Sequence, residues 1–394
     1  MMNDMPTTSV IRQRAGQRAR SRGFSLVEFM VAVVLGMLTV GVLTTAYVQL
    51  SQSGTELGRA NDQIENGRVA IQILENDLAH AGYWGGFVPA FDDLTQGVVP
   101  GDVPTTVPDP CLAYNMSNWD AAYKTNLLGI PIQVYDDQSI ATATTCGSVV
   151  TDIQPNTDVL VVRHADTCVA GMGTCPAVVA TGLYLQASFC STDPAPTYVL
   201  DTANFTRHRR NCTDAADLRR FVSDIYYVRT YYVTAGDGIP TLVQSSFGLG
   251  PGGGLSHQPA QALIPGIAAF RIELGIDSLS RTSAAVDYSA AVAWSDPSTM
   301  KVPTNRGDGA PDGDYVRCSA ASPCSVEQLR NAVAARIHVL AQALQPSTGY
   351  ADLKTYHLGA SSYGPYSGDA ARYKRHVYTT TVRLNNVSGR RATP

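Results

Sequence analysis

Between Glu28 and Glu56 the chain carries no charged residue, and residues 29–48 form a nearly unbroken apolar run. A helix rises about 1.5 Å per residue, so this run spans about 30 Å, one bilayer hydrocarbon core. Five arginines precede it: Arg12, Arg14, Arg18, Arg20 and Arg22. Such a basic flank holds the N-terminus in the cytoplasm and leaves the bulk of the chain outside. Glu28 stands alone at the head of the run. A carboxylate in lipid costs about 2.5 kcal/mol or more, so the position calls for a partner.

The stretch Arg22-Gly23-Phe24-Ser25-Leu26-Val27-Glu28 followed by one apolar span resembles the class III signal of type IV pilins and type II secretion pseudopilins. The resemblance implies that a membrane peptidase cuts after Gly23. The mature chain then starts at Phe24, with a methylated amine, and Glu28 serves assembly. The expected organisation is a cleaved leader at 1–23, a pilin helix at 24–82 with its transmembrane part at about 29–48, and an extracytoplasmic head at 83–394. Met5 is an alternative translation start.

Charge narrows the partners. Removing the leader's five Arg and one Asp from totals of 29 basic and 33 acidic residues leaves 24 and 32, net −8. That balance disfavours a nucleic-acid surface on the exported part. All eight cysteines follow residue 110, and an even count in an exported domain reads as disulfides. Proximity favours Cys168–Cys175, Cys190–Cys212 and Cys318–Cys324, leaving Cys111–Cys146. The chain has no Cys-x-x-Cys pair and no histidine clustered with the thiols, which argues against zinc.

Beyond the membrane run, Leu57, Ala60, Ile64, Ile71, Leu74 and Leu78 follow a three-to-four spacing, the stripe of an amphipathic helix. Gly54, Gly58 and Gly67 inside it predict soft points or close packing, and the helix should stop at Ala81-Gly82. After a proline-rich stretch at 85–130, strand-like runs recur at 130–135, 158–163, 177–180, 183–189, 197–200, 221–233, 241–245, 263–277, 336–344 and 375–384. Ser325-x-x-Gln328 is a capping box for a short helix over about 325–334. Residues after Asn386 are expected to fray. The pattern from Gly67-Arg68-Val69-Ala70 through Leu74, Asp77 and Leu78 to Ala81-Gly82-Tyr83 resembles PilW-type minor pilins. So do the segment 263–277 and the terminal Val382-Arg383-Leu384-Asn385-Asn386.

Enzymatic chemistry finds no foothold. None of the seven histidines makes a His-x-x-x-His pair or joins a nucleophile motif, and the glycines at 252–254 lack the Lys-Ser/Thr of a phosphate cradle. His338 reads as a satisfied core residue, and Arg207-His208-Arg209-Arg210 as a solvated patch. Tyr226, Tyr227, Tyr231 and Tyr232 should alternate between core and sheet surface. One acidic loop, 305–314, holds Asp308, Asp312 and Asp314. Closely spaced Asp with Gly suits calcium, but no Glu closes the loop, so a plain polar turn is the main reading and calcium the alternative. No cofactor is otherwise expected.

The expected fold is α+β and pilin-like, a long N-terminal helix packed on a β-rich head. The resemblance implies a non-enzymatic minor pilin that primes or caps a type IV pilus. Its partners would be other minor pilins, the major pilin, prepilin peptidase, the inner-membrane assembly platform and a tip adhesin. It would first span the inner membrane once, N-terminus cytoplasmic and head periplasmic, and later sit in the fibre or its tip. A type II secretion pseudopilin and a pilus-displayed adhesin or DNA receptor are the alternatives.

Overall fold

Helix α1 (Leu26–His80) runs without interruption through both the apolar segment and the amphipathic one. The computed structural model describes residues 23–250 and 252–392. The leader up to Arg22, with the alternative start at Met5, lies outside the described residues. The chain divides into two compact units between Leu57 and Gly58, inside α1 rather than at its end. The reason is burial. From Gln63 onward one face of α1 is covered, at Gln63, Gly67, Ala70, Leu74, Asp77 and Leu78. This face includes Leu74 and Leu78 of the expected apolar stripe but not its first part, because Leu57 and Ile64 are 65% and 52% exposed. Polar and small residues take the inner face because the head offers matching groups. The Gln63 amide donates to Ala341 O at 3.0 Å and Asn66 to Pro265 O at 3.1 Å.

A helix α2 (Ala121–Gly129), N-capped by Asp120, leads into β1 (Ile132–Asp136). After α3 (Ser139–Ala143) come β2 (Asp158–Ala165), β3 (Tyr184–Ala187), β4 (Tyr198–Asp201) and β5 (Leu218–Arg229). Then follow β6 (Thr241–Leu249), β7 (Leu255–His257), β8 (Gln261–Pro265) and β9 (Ile267–Ile276). The capping box at Ser325 starts α4 (Val326–Arg330), which gives way early to β10 (Ala332–Gln342) because that strand pairs on both edges. A small hairpin of β11 (Tyr356–Leu358) and β12 (Ser361–Tyr363), then β13 (Arg375–Arg383) and α5 (Asn385–Arg391), complete the chain. The eight-stranded sheet has the order β1-β2-β5-β3-β4, with β6 on β5 and both β7 and β8 on β6. The second sheet is β13-β10-β9, all antiparallel.

One apolar cluster unites the unit from Gly58 onward. Ala70, Leu74 and Leu78 of α1 meet Phe270, Ile272, Ile337 and Val339 of the small sheet and Val162, Tyr226 and Leu242 of the large one. Each fully buried aliphatic side chain contributes about 1.5–3 kcal/mol relative to exposure.

Four expectations change. Residues 177–180 form no strand and lie exposed, since no neighbouring strand pairs with them. The run at 221–233 ends as strand at Arg229, because the Asp237 carboxylate gathers the N–H groups of Tyr232, Val233, Thr234 and Ile239 into a loop. Tyr226 and Tyr227 are therefore both buried, at neighbouring positions of a strand covered on both faces, while Tyr231 and Tyr232 lie outside it. The C-terminal residues do not fray through 391. Helix α5 buries Val387, Ser388 and Arg391, and the Arg391 guanidinium pairs with Asp92 at 2.8 Å and Asp277 at 3.3 Å.

Candidate functional site

Gly23 and Phe24 stand before α1, and Phe24 is 86% exposed. Ser25 then caps the helix. Its Oγ accepts the Val27 N–H at 3.2 Å, and Glu28 Oε2 accepts the Ser25 N–H at 3.0 Å. Ser25-x-x-Glu28 is thus a close variant of the reciprocal capping box, a pattern visible in the sequence but passed over there. The carboxylate also faces the positive end of the helix macrodipole, a favourable placement of about 0.3–1 kcal/mol. Glu28 therefore closes the first turn of α1, while its second oxygen, Oε1, has no hydrogen-bond partner among the described residues. Behind it, every residue from Leu26 to Leu50 is exposed, and the segment is long and apolar enough to cross a membrane. Thr39, Thr44 and Thr45 turn their hydroxyls back onto carbonyls of their own helix, at Gly36, Val40 and Val42, so they add little polarity to its surface.

In the second unit the helix is clamped along its length. A Cβ on Gly67 would lie 2.2 Å from the Tyr378 ring, so glycine alone permits this approach of α1 to β13. Thr380 bonds Glu75, and Asn386 donates to Ala79 O at 3.1 Å. Gly82, at φ +73°, ends the helix and donates to Arg163 O at 3.0 Å.

Beneath the last turn sits an ionisable cluster that the sequence did not reveal. Asp77 Oδ1 lies 3.0 Å from His164 Nε2, and the His80 and His164 rings are 5.6 Å apart. Asp224 on β5 faces the same pair. Burial, then the Asp77 charge, pushes Asp224 up to about 6. Burial opposes the imidazolium of His164, yet its bonds to Asp77 and the Ala165 carbonyl leave its pKa raised. Among the described residues, Asp77 Oδ2 and Asp224 Oδ1 have no hydrogen-bond partner. The helix therefore docks on the head through charges whose balance depends on protons.

The other sequence-marked residues take structural positions. The disulfides are Cys111–Cys146, Cys168–Cys175, Cys190–Cys212 and Cys318–Cys324, the pairs that proximity favoured. Asp308 and Asp312 of the 305–314 loop take separate hydrogen-bond partners, while Asp312 and Asp314 line one hollow beside Glu327. Asp308 caps Ala310 N and lies 4.0 Å from Arg281, while Asp312 accepts the N–H groups of Ser278 and Leu279. Asp314 joins neither arrangement. Among the described residues no group of three His, Cys, Asp or Glu side chains is placed to hold a metal ion. His338 is buried, with Nδ1 2.9 Å from Thr379 Oγ1 and Nε2 3.5 Å from Glu273. The basic run is only partly solvated. Arg207 is buried, His208 pairs with Asp193 and Arg209 with Asp217.

Two family models match this chain. The prokaryotic N-terminal methylation motif covers residues 18–44, which contain Gly23, Phe24, the Ser25 cap and Glu28. The type IV pilus-assembly protein W model, PilW, covers residues 225–386. That stretch holds the second part of β5, from Ile225 to Arg229, the helix-clamping sheet β13-β10-β9 and the start of α5. No curated protein and no solved structure matches the chain. The two matches together support a PilW-type pilin with a class III signal peptide.

Proposed function

We propose that this chain, a type IV pilus-related minor pilin by its two family matches, takes part in priming or capping the pilus, at the tip and together with other minor pilins. The observation that carries the reading is the division of labour along α1. Its first half is bare and apolar from Leu26 to Leu50, and its second half is locked into the β-rich head. A helix with so much exposed apolar surface needs lipid or other apolar helices around it. In this reading prepilin peptidase removes the leader after Gly23. The chain then waits in the inner membrane with its head in the periplasm, and the assembly platform moves the helix from lipid into the fibre. Glu28, through its open oxygen, meets the terminal amine or another donor of a neighbouring pilin and sets the register. The head, crosslinked by four disulfides, supplies surface to its partners, among them the major pilin and a tip adhesin.

Deletion of the chain tests this, with surface pili, twitching, DNA uptake and protein secretion scored together. The proposal expects loss of pili and twitching with secretion intact. Loss of secretion with normal pili would place the chain in a type II secretion pseudopilus instead. Normal pili with lost adhesion or DNA uptake would make it a displayed receptor.

A further inference from the structure

A cleft of about 420 Å³ opens in the head where four stretches of chain converge. The loop before β2 brings Gln154 and Asn156, and the turn after β5 brings Gly238 and Pro240. The small sheet brings Gln342, and the segment before and into β13 brings Tyr363, Tyr366, Tyr373 and Arg375. The volume falls in the range of small-molecule sites, roughly 300–1,000 Å³.

Gln342 Oε1 accepts from Arg375 at 3.2 Å and the Tyr363 hydroxyl is taken by Asn156, but other polar groups of the cleft are unengaged. Asn156 sits at φ +59° with its backbone fixed on both sides. Its N–H donates to Asp137 at 3.0 Å and its carbonyl accepts the Tyr363 hydroxyl. Gln154 is fixed likewise, donating its N–H to Val228 O at 2.8 Å. The side-chain amides of both residues, and the hydroxyls of Tyr366 and Tyr373, make no hydrogen bond among the described residues. Arg375 is the one charged residue in the lining. Its charge is matched by buried Asp352 at 3.3 Å, and its guanidinium carbon lies over the Tyr366 ring, 3.6 Å from the centroid. Its Nε is buried without a partner.

Tyrosine faces, unbonded amides and a neutralised charge together suit one ligand chemistry. A pyranose offers C–H faces that stack on aromatic rings and hydroxyls that both donate and accept, as amides require. An acidic ligand would find no unpaired cation in the lining, and an aliphatic one would cover the amides and leave them unsatisfied. We propose that this cleft binds a neutral sugar unit, such as the terminal residue of a surface glycan.

Saturation-transfer NMR on the mature full-length chain, in a detergent without a sugar head group, tests the assignment. The probes are glucose, galactose, N-acetylglucosamine and lactose, with glucuronic and sialic acids for comparison. At least one neutral sugar should receive saturation, with millimolar affinity. Asn156→Gly keeps the left-handed backbone and its two hydrogen bonds while removing the amide, and Tyr373→Ala removes one ring. Each should weaken the signal several-fold with an unchanged melting temperature. No transfer to any neutral sugar, equal binding by both variants, or preference for the acidic sugars would overturn the proposal. So would efficient crosslinking of Asn156→Cys to a neighbouring subunit in sheared pili, since the cleft would then be a subunit contact.

Discussion

Glu28 has one structural role and one proposed role, and substitution can part them. Its Oε2 closes the first turn of α1 on the Ser25 N–H, while the proposed assembly role needs the negative charge and the open oxygen. Glu28→Gln keeps an acceptor for Ser25 and loses the charge. Glu28→Ala loses both, at about 0.3–1 kcal/mol for the helix start. Processing after Gly23 and the melting of the head should be unaffected in either variant. Incorporation into sheared pili, read by crosslinking and immunoblot, should fall several-fold in both if the charge sets register. Wild-type incorporation of Glu28→Ala would end that role. Recovery in Glu28→Gln alone would show that the cap, not the charge, is what assembly requires. Both residues of the cap were present as Ser25-x-x-Glu28, and the local rule that read Ser325-x-x-Gln328 applies to them equally.

At the scale of the element, α1 packs through what it lacks. Gly67 lets the Tyr378 ring lie against the helix backbone, whereas Gly58 has nothing within 4 Å of the place a Cβ would take. Two identical substitutions should therefore have opposite signs. Gly58→Ala removes a helix-weakening residue and should stabilise by up to about 1 kcal/mol. Gly67→Ala must displace a ring and should destabilise by about 1–3 kcal/mol. Thermal melts of the purified mature chain compare them, and a stabilising Gly67→Ala would refute the close helix–strand contact. The existence and end of α1 were legible because an apolar run, a periodic stripe and Ala81-Gly82 are local signals. Its buried face was legible at Leu74 and Leu78 but not nearer the membrane run, because Gln63 and Asn66 are turned inward by carbonyls of residues 341 and 265, far along the chain. The helix α5 was hidden for the same reason. Arg391 is ordered by Asp92 and Asp277, and no neighbour in sequence announces either pair.

For the whole molecule, the charges beneath the helix end tie stability to pH. Asp224 rises from an ordinary 3.8 to about 6 in the folded head, so the fold holds its proton where the unfolded chain releases it. Stability from this group is therefore fully present below about 4 and is lost as pH rises through about 6. The raised pKa of His164 acts in the same direction at higher pH. His257, driven down to about 4 by burial, acts oppositely and costs stability as pH falls below 6.5. Comparison with Asp224→Asn isolates the first effect. The variant should match the wild type near pH 4 and exceed it at pH 8 by on the order of 2–3 kcal/mol, measured by denaturant unfolding. A difference independent of pH would contradict the buried, charge-crowded setting of Asp224. Disulfide partners close in sequence, hairpin strands and the two-part helix were all readable from the chain, whereas this cluster joins residues 77, 164 and 224 and needed the fold to assemble it. The central claim, a processed pilin subunit, meets its most direct test in N-terminal mass spectrometry of the chain recovered from sheared pili. The account predicts a mature terminus at Phe24 carrying a methylated amine, lost when Gly23→Val blocks the cut. An uncut chain starting at Met1 or Met5 in a piliated strain would contradict it.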